Sequence, residues 1–188
     1  AIALNHVQRT ALEMGDSPSA GLGLARMVGM ISYRTPEEFE HRFGRDVHDD
    51  GRFQMQSYLD HHGQKLVDRF DPRAYRALID AMDAHDVGRG RGDVRSALEA
   101  FEGRLVGVAI PGDLLYPAET VRAWTDAAKA EYREIHSIHG HDAFLIENDQ
   151  VSAILRETLD GGASPGPAHS PASREPVPSS MSAPQRLR

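Results

Sequence analysis

From Ile2 to about Ala100 the apolar positions recur at helical spacing. Leu22, Ala25, Met27, Val28 and Ile31 make one apolar stripe. Thr35-Pro36-Glu37-Glu38 then supplies an N-cap, a first-turn proline and a capping-box glutamate ahead of Phe39 and Phe43. Tyr58, Leu59, Leu66, Val67 and Phe70 continue the pattern. Asp71-Pro72 opens a further helix, with Tyr75, Leu78, Ile79 and Met82 on one face. That helix ends in the glycine-rich turn from Val87 to Gly92.

After Arg104 the pattern changes. Leu105-Val-Gly-Val-Ala-Ile110 is a short continuous apolar run, as expected of a buried parallel strand. A helical stretch around Val121, Trp124 and Ala128 follows, then a short strand, Tyr132-Arg-Glu-Ile135. The loop His136 to Asp142 leads into a final amphipathic helix bearing Phe144, Leu145, Val151, Ile154 and Leu155. This βαβα order predicts an α/β fold with a parallel sheet and helices on its faces. Two parallel strands do not make a stable sheet alone, so the remaining strands are expected in polypeptide before Ala1. From Gly161 onward the chain holds 6 of its 11 prolines and few large apolar residues, which predicts a disordered tail over 161–188.

Charge and composition narrow the function classes. Over 188 residues the formal net charge is −7, which argues against a nucleic-acid or anionic-membrane surface. Cysteine is absent, so no disulfide or thiolate chemistry is available within the chain. No apolar run approaches the ~20 residues needed to span a bilayer, and the first residues lack the pattern of a secretory leader. The expected setting is cytoplasmic.

Two residues stand where open α/β sheets place their chemistry. Asp113 directly follows the first strand, and His141 follows the second, 28 residues later. One helix plus one strand fills that gap, so both side chains emerge at the carboxyl edge of neighbouring strands. A carboxylate that orients an imidazole is the acid-and-base part of a nucleophile–acid–histidine triad, and here the two occur in that order. No G-x-S-x-G nucleophile elbow is expected anywhere in the chain. The spacing alone also fits an aspartate that merely caps a turn.

His136, His139 and His141 could suggest zinc, but they lack the helix-spaced pairing of catalytic zinc sites, and no metal is expected. The segment Gly88 to Gly92 matches neither phosphate-binding nor dinucleotide-binding patterns and reads as a turn. Glu37 to Arg45 reads as a solvated helix face.

Five longer strings carry more information than any spacing. G-L-G-L-A-R-M-V-G-M-I-S-Y-R-T from Gly21, S-Y-L-D-H-H-G-Q-K-L-V-D-R-F-D from Ser57, A-M-D-A-H-D-V-G-R-G-R-G from Ala81, G-D-L-L-Y-P from Gly112 and H-G-H-D-A-F-L-I-E from His139 resemble the homoserine O-acetyltransferase family, in the family's order. The resemblance spans roughly Asn5 to Leu159. It implies the C-terminal part of an α/β-hydrolase fold: residues 1–16 as a helix following an N-terminal core, 17–100 as a helical lid, and 101–160 as the last two core strands with their helices.

It also implies a ping-pong reaction in methionine biosynthesis. A serine upstream of this chain takes an acetyl group from acetyl-CoA and passes it to the hydroxyl of L-homoserine. His141 is the implied general base and Asp113 its orienting acid. The family's substrate-binding residues fall on Arg26, Tyr33 and Asp142. That set makes chemical sense, because an amino acid needs a guanidinium for its carboxylate and a carboxylate for its ammonium. No cofactor is implied; acetyl-CoA enters as substrate. A homodimer through the lid and a partnership with the N-terminal half are implied as well. Homoserine or serine succinyltransferases and serine acetyltransferases resemble the same strings, so donor and acceptor stay open. Two other classes remain beside the enzyme: a non-catalytic fragment or partner subunit, and a hydrolase on the same fold. Arg26 and Asp142 together favour an amino-acid acceptor over the hydrolase.

Overall fold

The computed structural model describes residues 1–160, so the tail expected from Gly161 lies outside the described residues. Helices α1 (Ile2–Met14), α2 (Pro18–Ser32), α3 (Pro36–Arg42), α4 (Gln54–Val67), α5 (Pro72–Ala84) and α6 (Val94–Glu99) come first. Strand β1 (Val106–Ala109), α7 (Ala118–Ala128), β2 (Glu131–Glu134), a 3-10 turn (Gly140–Asp142), α8 (Ala143–Ile146) and α9 (Asn148–Leu159) complete the chain. No helix among the described residues is long and apolar enough to cross a membrane.

Helix starts follow the capping chemistry. Ser17, Thr35 and Asp71 each sit in extended backbone, accept an amide hydrogen bond from the first turn, and are followed by proline at the first helical position. Proline there lacks only an N–H that would have had no partner. The expected capping box at Thr35 is half made. The Thr35 hydroxyl accepts from the Glu38 amide at 3.1 Å, but the Glu38 carboxylate turns to Arg34 instead of back to the cap.

α2 is the central helix, packed on α1, α4 and α5. Its buried face is Leu22, Ala25 and Met30, interleaved with Gly21, Gly23 and Gly29, while Ile31 of the expected stripe is exposed. Because neighbours cover α2 on several sides, its buried face is wider than a one-sided amphipathic pattern suggests. Met30 joins Phe43 and Tyr58 in a core cluster, with Phe39, Met55 and Leu59 packed around it. On α5 only Ile79 of the expected face is buried; Leu78 and Met82 are exposed. Phe70 lies beyond the end of α4.

β1 and β2 pair in parallel, with Val106 opposite Glu131 and Ala109 opposite Glu134. Among the described residues β1 has no other strand neighbour. α7 packs on β1 so closely that a Cβ on Gly107 would overlap the Thr125 methyl and lie 2.9 Å from the Trp124 ring. Beneath the strand ends, Ile110, Ile135 and Ala143 form a second core cluster with Val151 and Ile154. The predicted final helix is broken at Glu147 into α8 and α9.

Candidate active site

Asp113 sits four residues past β1, and its carboxylate is almost wholly buried. One oxygen, Oδ1, accepts hydrogen bonds from the amides of Leu115 (2.7 Å) and Tyr116 (3.1 Å). The other, Oδ2, lies 2.9 Å from His141 Nδ1. Burial alone would raise the carboxyl's pKa. The imidazole hydrogen bond and the two amides outweigh it, so Asp113 stays ionised below the ordinary value of 3.8. Anchored by backbone amides, this carboxylate selects the tautomer in which His141 Nδ1 donates to it. Nε2 then remains a free acceptor, which is what a general base requires.

The His141 ring is enclosed by three aromatic rings: Tyr33 at 5.5 Å, Tyr116 at 5.6 Å and Phe144 at 5.7 Å between centroids. Tyr33 caps the C-terminal end of α2, and its ring lies back over Gly29. One face of that ring carries the Arg26 guanidinium, 5.6 Å from the centroid. The two-turn separation therefore brings Arg26 and Tyr33 together, and Tyr33 adjoins His141. Burial raises the Tyr33 phenol's pKa, opposed by Arg26 and reinforced by Asp142.

Asp142 reaches the same place by another route. Its amide donates to the Tyr33 carbonyl at 3.4 Å, and its Oδ2 lies 3.0 Å from Arg34 Nη2. Arg34 is not among the residues that the sequence singles out. Its Nη1 also donates to both Glu38 oxygens, at 3.1 and 3.2 Å. The i,i+4 spacing of Arg34 and Glu38 could have signalled the pair, although not that it is buried. Glu37, Glu40, His41, Arg42 and Arg45 are exposed as the solvated-face reading expects, but Glu38 is only 5% exposed, which corrects that reading at this position. The stretch turns inward there because it packs against the loop carrying His141.

That loop is tightly seated on the α2–α3 turn. The Thr35 hydroxyl donates to the Ile138 carbonyl. Gly140 has φ +61°, and a Cβ there would lie 3.1 Å from the Tyr33 carbonyl oxygen. The three loop histidines diverge. His136 lies 3.8 Å from Glu134, His139 Nδ1 lies 3.2 Å from Glu38 Oε2 without hydrogen-bond alignment, and His141 meets Asp113. Three separate carboxylates thus hold them apart. In the chain, Gly162-Ala163-Ser164-Pro165-Gly166 does fit the bare G-x-S-x-G spacing, but it comes after His141 and lies outside the described residues.

No protein-family model matches the chain. A homoserine O-acetyltransferase from Thermus thermophilus is 47% identical over 160 residues, covering 81% of this chain and 41% of that protein. One from Clavibacter michiganensis is 40% identical over 185 residues, covering 85% of this chain and 48% of that protein. The chain therefore spans less than half the length of these relatives. Among solved structures, homoserine O-acetyltransferase from Staphylococcus aureus superposes with a TM-score of 0.66 at 30% identity, over 85% of this chain and 46% of that one. An acetylester hydrolase from Corynebacterium glutamicum, at 20% identity and a TM-score of 0.70 over 85% of this chain and 50% of that one, shares the fold. The described residues, 1–160, thus have the architecture of the C-terminal part of an α/β-hydrolase, and over the matched stretch the chain is similar to the C-terminal part of homoserine O-acetyltransferases.

Proposed function

We propose that the protein to which these residues belong transfers an acetyl group from acetyl-CoA to the hydroxyl of L-homoserine. The observation that carries this reading is the 2.9 Å contact of His141 Nδ1 with a buried, amide-anchored Asp113, in a chain 47% identical to a homoserine O-acetyltransferase. A serine supplied by polypeptide outside these 188 residues is the nucleophile. His141 Nε2 removes its proton as it attacks the thioester carbonyl, and returns the proton to the departing thiolate. In the second half-reaction His141 takes the proton of the acceptor hydroxyl as it attacks the acyl-serine, and gives that proton to the departing serine oxygen. Asp113 holds the imidazole in position and stabilises its cation in both halves.

The acceptor's carboxylate is assigned to Arg26 and the Tyr33 hydroxyl, and its ammonium to Asp142. Tyr33 and Asp142 adjoin His141 and Arg26 lies over the Tyr33 ring, which supports a site for a small zwitterion. Residues 17–100 serve as a lid over this site and as a homodimer contact, and 101–160 as the last part of the core. The setting is cytoplasmic, and acetyl-CoA is a substrate with no further cofactor needed.

The test uses the native protein purified whole. Mixed with acetyl-CoA alone it should give one burst of free CoA per site; with homoserine it should turn over and form O-acetylhomoserine. Succinyl-CoA and serine are run beside them. Faster transfer with either would move the assignment to that donor or acceptor. Steady release of acetate, with homoserine having no effect, would replace transfer by hydrolysis.

A further inference from the structure

The Arg34 guanidinium is shared between two carboxylates that belong to different parts of the fold. Nη1 is engaged by both oxygens of Glu38 on α3, and Nη2 by Oδ2 of Asp142, next to His141. The group lies largely out of solvent: side-chain exposures are 6% for Glu38, 15% for Arg34 and 18% for Asp142. Two further side chains face Glu38, the His139 imidazole at 3.2 Å and the half-exposed Arg42 guanidinium at 3.9 Å. Neither reaches Asp142 as Arg34 does. A planar guanidinium can serve two carboxylates at once in fixed directions, whereas an ammonium cannot. Glu38 therefore sets Arg34, and Arg34 sets Asp142.

We infer that Arg34 is a positioning residue for the acceptor: it turns the Asp142 carboxylate so that Oδ2 is occupied and Oδ1 is presented to the acceptor's ammonium. Arg34 thereby governs preference for hydroxy compounds that carry an α-amino group. This rests on the acetyltransferase reading above. Charge balance supports it. The buried Glu38 and the partly exposed Asp142 share one partly exposed guanidinium, and the bound ammonium brings Asp142 a second cationic partner. Without Arg34 the carboxylate would be free to rotate, and its selectivity for the amine would fall.

The experiment compares the whole wild-type protein with Arg34→Lys. The readout is the ratio of kcat/KM for homoserine to kcat/KM for 4-hydroxybutyrate, which lacks the amine. A charge-assisted hydrogen bond lost from a water-poor site corresponds to roughly a ten- to hundred-fold change, so the ratio should fall by about that factor in Arg34→Lys. The acylation burst with acetyl-CoA alone should stay within about twofold, because the acceptor is absent from that step. Should Arg34→Lys fold poorly, Glu38→Gln releases the other end of the guanidinium and should lower the ratio in the same direction. An unchanged ratio in the folded variant, or an equal loss for both acceptors together with loss of the burst, overturns the inference. A wild type that fails to acetylate homoserine removes the acetyltransferase reading itself, and the inference with it.

Discussion

His141 Nδ1 and Asp113 Oδ2 stand 2.9 Å apart, and the aspartate's other oxygen is held by two backbone amides. Asp113→Asn should therefore keep the geometry but present an amide to Nδ1, favouring the tautomer that protonates Nε2. The expected loss in the acylation rate is on the order of 10³–10⁴-fold, measured by rapid mixing with acetyl-CoA, and Tm at neutral pH should fall because the ionised carboxylate's stabilisation is lost.

The same carboxyl leaves a mark on acid stability. Its pKa in the folded protein lies below the ordinary 3.8, so ionised Asp113 stabilises the fold above that value. The contribution disappears as pH falls from about 3.8 through the lowered folded value. Tm measured across the acid range should drop more steeply below about pH 4 in the wild type than in Asp113→Asn. Parallel curves would contradict this.

Arg26 lies over the Tyr33 ring, and the Tyr33 ring in turn stands against His141. As an acceptor clamp, Arg26→Ala should lower kcat/KM for homoserine by about ten- to a hundred-fold and spare the acylation burst. His141→Ala should abolish both. If Arg26→Ala loses the burst as fully as His141→Ala, its role lies on the donor side or in the fold.

Gly140 combines φ +61° with a close approach to the Tyr33 carbonyl. A Cβ in that conformation costs about 1–2 kcal/mol before any clash, and the clash lies one residue before His141. Gly140→Ala should lower both Tm and the acylation rate. Gly107→Ala instead presses on Thr125 and Trp124, away from the site. Overpacking there should cost about 1–3 kcal/mol in a urea titration, with kcat unchanged in the protein that remains folded.

β1 offers an unpaired edge among the described residues, and Ile2, Val7 and Met14 of α1 are exposed. The 188-residue chain expressed by itself should self-associate and give no acetyl-CoA turnover. Sedimentation showing a compact monomer with a sharp unfolding transition would count against the first part, and thiol release above background against the second.

Local chemistry made much of the fold legible in the amino-acid order. Thr35-Pro36 and Asp71-Pro72 mark helix starts because cap and proline act within one turn. Ser17-Pro18 carries the same signal shortly before Gly21, where the first family-like string begins, and α2 starts there. The apolar run at 105–110 and the β–α–β spacing put Asp113 and His141 on neighbouring strand ends, where the fold brings their side chains to 2.9 Å. Arg26 and Tyr33 meet because seven residues are two turns of one helix. None of this required knowledge of what packs against what.

The burial of charge is a different matter, because it depends on what docks where. Glu38 has the composition and spacing of a surface residue, and the helix register alone leaves it in water. It becomes buried because Ile138 to Asp142 folds onto the α2–α3 turn from about a hundred residues further along the chain, through the Thr35–Ile138 hydrogen bond and the bare α-carbon of Gly140. That contact also gives Arg34 its second carboxylate. Ile31 and Leu78 show the converse: both are apolar at helical spacing yet exposed, because periodicity reports which residues can share a face and not which neighbour covers it. Helix starts and strand order are short-range or set by chain order, so the order of residues suffices to find them; chain order places Asp113 and His141, but the resemblance is what singles the two out. The ion cluster around Asp142 needs a long-range docking between segments far apart in the chain, and it comes into being only when the chain folds.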